Sequence, residues 1–175
     1  MARLKIKHQN YPKSMDPLMI PLCDALNSLP GVTTVDSCQG HLRNHMSVFM
    51  HIKSMHSIGI IARAVDQRYG CTKINWTLQT SITDTDDPLQ FYLSSDRVYD
   101  DEILELRDIE VFIASIRLYC TSYFDKYFRG TERVRGMSIP DKDYKEFADA
   151  IAEADRKYSD NVGKKLSRRM LMYAM

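Results

Sequence analysis

Residues 30–41, with the sequence PGVTTVDSCQGH, decide the fold, because a helix end, a strand and a polar loop follow one another there. Pro30 and Gly31 favour the end of a helix. The β-branched run over 32–35 predicts a short strand, which leads directly into the polar loop 36–41. Such a loop places several small and polar groups at the edge of a sheet. We therefore expect the working site of the protein at this loop.

A helix is expected immediately before this strand. Asp16 and Pro17 are typical of a helix start, with a capping carboxylate followed by proline at the first helical position. Pro21 favours a start close to its own position. The apolar side chains of this helix recur at helical spacing, at Leu18, Leu22, Leu26 and Leu29.

The same order of elements then occurs a second time. Alternating residues over 46–53 predict a strand antiparallel to the first. Ser54 begins a helix that Gly70 ends, and strands are predicted over 73–82 and 89–93. The order helix, strand, strand therefore repeats. It predicts an α+β fold in which two similar helix-strand-strand halves form one mostly antiparallel sheet covered by helices.

A long helix is predicted over 101–129, followed by a helical C-terminal extension. The length of the 101–129 helix, roughly 40 Å, exceeds the expected width of the domain. The apolar side chains of this helix lie on more than one of its faces. One face is expected to pack on the sheet and the other on the C-terminal helix or on a second chain, so a homo-oligomer is predicted. We divide the chain into a ligand-binding α+β domain, 1–130, and an extension, 131–175, packed on it or on a partner chain.

Composition bounds the class of protein. Of the 175 residues, 44% are hydrophobic and 27% charged, which is typical of a globular chain, and the net charge of +1 gives no general attraction to nucleic acid. Nucleic-acid binding is therefore expected to be weak. The four cysteines form no Cys-x-x-Cys pair, and no apolar run approaches the roughly 20 residues of a membrane span. A cytoplasmic protein with free thiols and no membrane partner is expected.

The loop carries residues that suit ligand binding or catalysis. Gly40 permits a backbone conformation closed to other residues, so consecutive amides are expected to form an anion-binding nest with Ser37 and Gln39 as further donors. If the protein is an enzyme, Cys38 is the candidate nucleophile and His41 its base. The alternative is a tight turn in which Cys38 is a small buried hydrophobe and His41 lies on the surface.

Three further assignments concern the surroundings of this loop. The spacing of Cys38, His41 and His45 is short but feasible for a metal, yet no matching ligands occur elsewhere, so no metal is expected. Trp76 lies on an alternating strand, which favours a core position or a platform on which a base stacks. We include it with Arg43, a candidate charge partner, among the ligand-binding residues.

The stretch 22–41, LCDALNSLPGVTTVDSCQGH, resembles a pattern in small uncharacterised bacterial and phage proteins, in which a helix ending in Asn and Pro-Gly precedes a strand and a Ser-Cys-x-Gly-His loop. It is more distantly similar to the wybutosine-synthesising tRNA methyltransferase family. That family carries a related Ser-Cys-x-Gly loop in a fold of two similar α/β halves and methylates a guanine-derived tRNA base with S-adenosylmethionine. His41 stands where that family's loop tends to carry arginine. The likeness covers the first third of the chain.

The preferred hypothesis is binding of a nucleotide-like or phosphate-bearing small molecule at this loop, without a further cofactor. Ser37, Gln39 and Gly40 would hold the anion, and His41 and Arg43 would complement its charge. The resemblance implies a phage-encoded protein that sequesters a signalling nucleotide in the host cytoplasm. The alternatives are a tRNA-modifying methyltransferase-like enzyme that uses S-adenosylmethionine and an oligomeric interaction protein without a small ligand. An exposed loop also predicts that Gln39→Ala and His41→Ala leave the melting temperature nearly unchanged.

Overall fold

The structure of the protein, a computed structural model, describes residues 6, 8–66, 72–81, 90–128 and 141–173. Within these ranges it describes only the backbone at 81, 121–128, 141–144, 147, 151 and 166–173. The described elements are a 3-10 turn, Pro17–Met19, then α1, Ile20–Asn27, β1, Val32–Cys38, β2, Ser47–Ile52, α2, Met55–Val65, β3, Trp76–Ser81, β4, Gln90–Ser95, α3, Glu102–Phe128, and α4, Asp141–Tyr173. The predicted α+β fold is confirmed.

The sheet displays the predicted repeat. Its strand order is β1-β2-β4-β3 and every pairing is antiparallel. Exchanging the half α1-β1-β2 with the half α2-β3-β4 leaves this order unchanged. The two hairpins also correspond in register: Ser37 pairs with Val48 in the first and Thr80 with Phe91 in the second, and Thr80 follows Ser37 by as many residues as Phe91 follows Val48. The second strands of both halves therefore meet at the centre of the sheet.

The first strand is longer than predicted. It continues through Ser37 and Cys38, because the backbone there pairs with Val48 and Ser47 of β2. A β-bulge between Thr34 and Asp36 changes which side chains face the helices. After it, Ser37 lies on the helix-covered face of the sheet, while Asp36 and Cys38 lie on the opposite face. The connecting loop therefore begins at Gln39 rather than at Asp36.

The described helices lie on one face of this sheet. That face contributes a buried row on each central strand, at Val48, Met50, Ile52, Phe91 and Leu93. α1 and α2 contact the strands, α3 packs across both helices, and α4 lies along α3. Burial of these apolar side chains supplies most of the driving force for folding. The side chains at alternate positions on the central strands lie on the other face, and among them Phe49 and Tyr92 are half-buried.

The helix start needs one correction. Asp16 occupies the N-cap of the 3-10 turn, but its side chain makes no capping hydrogen bond. Regular α-helix begins only at Ile20, with Pro21 in its first turn, as the position of that proline predicts. The Asp16 carboxylate is therefore directed elsewhere, toward the loop after β1.

The second apolar face of α3 finds a partner within the chain. α4 packs along it, and their pairing includes Arg107 Nη2 with Asp155 Oδ1 at 2.6 Å and Lys157 Nζ with Glu110 Oε1 at 3.1 Å. A homo-oligomer through α3 stays a prediction, since the side chains of Tyr123 and the rest of 121–128 lie outside the described residues. In the part of the chain that the structure describes, no helix is both long and apolar enough to cross a membrane.

Candidate functional site

The loop after β1 has an unusual backbone. Gly40, His41 and Leu42 follow one another at φ angles of 85°, 52° and 58°, in the left-handed region that favours glycine. A Cβ at Gly40 would lie 2.3 Å from the Asn44 carbonyl oxygen, so glycine is required there. The Gly40 carbonyl accepts hydrogen bonds from the amides of Arg43 and Asn44, at 3.0 and 2.9 Å. This tight turn directs the His41 ring back toward the end of β1.

Three chemically different side chains meet at that point. His41 Nε2 lies 3.2 Å from Asp16 Oδ1. One ligand atom each from Asp16, Cys38 and His41 lie within 4.8 Å of one another. Cys38 and Asp16 are half-buried, whereas His41 is exposed. Cys38 and His41 were predicted from the sequence, but Asp16 was not, because the Asp16-Pro17 pattern is typical of a helix cap.

The predicted anion nest is not formed by the amides expected to make it. The Gln39 amide donates to Asp16 Oδ2 at 2.9 Å, the Gly40 amide to Cys38 Sγ at 3.3 Å and the Ser37 amide to Asp36 Oδ1 at 2.8 Å. The chain's own carboxylates and thiol thus occupy these donors. The resulting surroundings are acidic, which disfavours a phosphate at the same place.

Gln39 is a buried link between the loop and α3. Its side chain is 7% exposed, and Nε2 donates to Glu105 Oε2 at 3.0 Å. Burial raises the pKa of Glu105 above its ordinary value, the hydrogen bond from Gln39 opposes this, and Glu102 adds to the rise. The expectation that Gln39 lies on an exposed loop is wrong. Glu105 was missed because its contact with Gln39 joins parts of the chain far apart in sequence.

Trp76 is not brought to the loop. It is 4% exposed, and its ring centroid lies 5.0 Å from that of Phe112 in the core. β3 is separated from β1 by three strand spacings, roughly 14 Å. Trp76 therefore has the core position that its alternating strand also favoured, and it lies away from the loop; a role in ligand binding stays a prediction.

Two other predicted residues differ in their surroundings. Ser37 lies on the helix-covered face beside Cys23, whose pKa burial raises to about 11 while hydrogen bonds from Ser37 and Thr34 oppose the rise. Arg43 is exposed in the turn. His45, the third residue of the predicted Cys/His spacing, has its Nδ1 at 2.8 Å from the Ser95 carbonyl oxygen. His45 therefore serves the contact between the loop and β4, while Asp16 takes the place beside His41.

An aromatic pair lies on the sheet face that Cys38 borders. The ring centroids of Phe49 and Tyr92 are 4.7 Å apart and their planes are tilted by 48°. Register places Asp36 beside Phe49 and Gln79 beside Tyr92, so these four residues form one row across the sheet. The neighbouring row on the same face begins with Cys38 and ends, beyond Ser47 and Ser94, with Thr77. Sequence reasoning missed the aromatic pair, although alternation along both strands put Phe49 and Tyr92 off the core face.

Comparison with known proteins finds no matching family model, no matching curated protein and no matching solved structure. The likeness to the Ser-Cys-x-Gly-His proteins and to the tRNA methyltransferases therefore stays an expectation from the sequence.

Proposed function

We propose that the protein binds a planar, nucleotide-like small molecule on the sheet face opposite the described helices, beside the loop that follows Cys38. The observation that carries this proposal is the half-buried Phe49–Tyr92 pair, on the face opposite the described helices. Aromatic rings on a sheet face are suited to stacking with a base, and such stacking contributes about 1–3 kcal/mol per base. The aromatic partner of the ligand is thus Phe49 and Tyr92 rather than Trp76.

The polar groups around the pair suit the edge of a base. Asp36 offers a carboxylate on one side, Gln79 an amide on the other, and Thr77 a hydroxyl in the next row. A carboxylate accepts hydrogen bonds from amino and ring N–H groups. The acidic surroundings of Asp16 and Asp36 favour a ligand that presents such donors. A phosphate on this ligand would extend toward Arg43 and solvent, since the amides of Gln39 and Gly40 are already paired.

A binding titration tests the proposal directly. Calorimetry with a panel of nucleosides, linear nucleotides and cyclic nucleotides should find a ligand for the wild-type protein. Phe49→Ala and Tyr92→Ala should each weaken it by about 5- to 150-fold, the equivalent of one stacking contact. Met55→Ala is the matched control, because Met55 is a 76% exposed side chain on α2 and outside this face. Equal affinity in all four proteins would exclude the aromatic pair as the site.

Two further measurements separate this proposal from its alternatives. Mass spectrometry of the denatured, purified protein should release an intact nucleotide-like compound, as expected of a phage protein that sequesters a signalling nucleotide. A labelled methyl group should not pass from S-adenosylmethionine to tRNA. Methyl incorporation would favour the enzyme, and the absence of any ligand in both experiments would favour an interaction protein.

A further inference from the structure

We propose that Asp16, Cys38 and His41 bind one divalent transition-metal ion of the zinc class. This site borders the proposed ligand-binding face at Cys38, but metal binding there does not depend on the proposed function. It also differs from the ligand set that the sequence spacing suggests, because Asp16 replaces His45. The proposal rests on the meeting of a carboxylate, a thiol and an imidazole at the end of β1.

The three donors together favour zinc over harder cations. Zinc binds thiolate, imidazole and carboxylate groups, whereas magnesium and calcium take oxygen ligands almost alone. Three protein ligands leave one position of a tetrahedral ion open, which is the arrangement of zinc sites that bind a water or a substrate. Because His41 is 62% exposed, the open position would be accessible from solvent.

The distances are close to those of a tetrahedral site. Zinc–nitrogen and zinc–oxygen bonds of about 2.0–2.1 Å separate two such ligand atoms by roughly 3.3 Å, and a sulfur atom lies roughly 3.6 Å from the other two. His41 Nε2 and Asp16 Oδ1 are 3.2 Å apart. Since the three ligand atoms lie within 4.8 Å of one another, the thiol is at most about 1 Å farther from the other two ligand atoms than a tetrahedral ion requires.

Neighbouring backbone groups already orient two of the ligands. The Gly40 amide donates to Cys38 Sγ, and the Gln39 amide donates to Asp16 Oδ2 and leaves Oδ1 facing His41. Such contacts orient metal ligands. Gln39 is itself fixed by Glu105.

The turn that presents His41 is strained. His41 and Leu42 both have positive φ angles, and neither residue is a glycine. A conformation of this kind costs about 1–2 kcal/mol per residue and is commonly found at functional sites. In this loop the strained backbone conformation places the His41 ring beside the Asp16 carboxylate.

Metal titration of the full chain tests the proposal. Metal-free protein should take up one Zn²⁺ per chain in competition with a chromophoric chelator. With Co²⁺ it should show the intense absorption of a thiolate-to-cobalt charge transfer. Asp16→Asn, Cys38→Ser and His41→Ala should each weaken zinc binding by more than roughly 10-fold, and Cys38→Ser should abolish the charge-transfer band. Near-ultraviolet circular dichroism checks that each variant is folded.

His45→Ala is the matched control. This histidine is close in sequence and lies in the same loop, but its Nδ1 contacts the Ser95 carbonyl, so zinc affinity should be unchanged. Iodoacetamide should modify Cys38 more slowly when zinc is present. The proposal is overturned if the wild type binds neither ion. It is also overturned if His45→Ala loses zinc binding to the same extent as His41→Ala. A third contrary result would be an alkylation rate of Cys38 that zinc does not change, because a thiol that binds no metal would behave in this way.

Discussion

Glu105 and Asp108 lie one turn apart in α3, and both carboxylates are almost fully buried. Asp108 accepts hydrogen bonds from the amides of Lys73 and Ile74, at 3.0 and 3.2 Å, and pairs with Arg107 Nη1 at 2.7 Å. Among the described residues, the Glu105 carboxylate accepts a hydrogen bond from Gln39 only. The two carboxylates thus have equal burial but very different compensation.

The difference separates a carboxylate that stabilises the fold from one that contacts the loop of the candidate site. Burial of a charge is tolerated when a counter-charge and hydrogen bonds offset the loss of hydration. Asp108 has both, and it connects α3 to the start of β3. Burial raises the pKa of Glu105, and the hydrogen bond from Gln39 and the charge of His41 oppose this rise only in part; Glu105 fixes the loop that carries Cys38 and His41.

The largest effect is expected at Asp108. Asp108→Asn should lower the free energy of unfolding by about 3–5 kcal/mol, because it removes the buried carboxylate that pairs with Arg107 Nη1 and accepts the amides of Lys73 and Ile74. Urea denaturation measures the change. Asp155→Asn is the control, since Asp155 pairs with the same arginine but is 51% exposed, and its loss should cost at most about 1 kcal/mol. Similar losses in both variants would contradict the distinction between the two partners.

A smaller loss is expected at Gln39. Gln39→Ala should lower the free energy of unfolding by about 1–3 kcal/mol, because it removes the donor to the buried Glu105 carboxylate. The exposed Gln79 on β3 provides a control, and Gln79→Ala should change stability by less than about 0.5 kcal/mol. A melting temperature unchanged in Gln39→Ala would support the exposed loop that the sequence suggests.

The same chemical change should act in opposite directions on the two carboxylates. Because the folded protein raises the pKa of Glu105, its contribution to stability is fully present below the unfolded pKa and is lost as pH rises through the folded value. Glu105→Gln should therefore raise the unfolding free energy at neutral pH, and this gain should shrink in acid. Urea titrations on both sides of the ordinary glutamate pKa measure it. A loss at neutral pH, as in Asp108→Asn, would show that Glu105 is also compensated.

The smallest effect is expected where the loop fixed by Gln39 and Glu105 turns back. Leu42 has a φ of 58° and is partly exposed. Leu42→Asn should stabilise the protein by about 0.5–1 kcal/mol, since asparagine tolerates this conformation better than a residue with a large apolar side chain. Thermal unfolding at fixed pH detects such a change. Leu42→Ala keeps the steric cost and serves as the control; an equal gain there would assign the effect to removal of an exposed apolar group.

The secondary structure and the repeat were largely accessible from the sequence because their signals are local. Alternation along β2 and β3, and the helical spacing of the leucines in α1, depend on neighbours within a few residues. The end of β1 was predicted too early. Asp36, Ser37 and Cys38 have weak strand preference, and only pairing with β2 keeps them extended.

The same distinction between local and long-range signals applies to the candidate site. By itself the sequence determined the α+β class and the order of its elements, and it indicated Cys38 and His41 as candidate site residues, because these signals depend on local spacing and residue type. The tertiary structure decided that Asp16, and not His45, meets His41, and that Gln39 is buried against Glu105. It also decided that Trp76 packs in the core. These outcomes depend on which distant segments the sheet and α3 bring together, and no local pattern encodes that proximity.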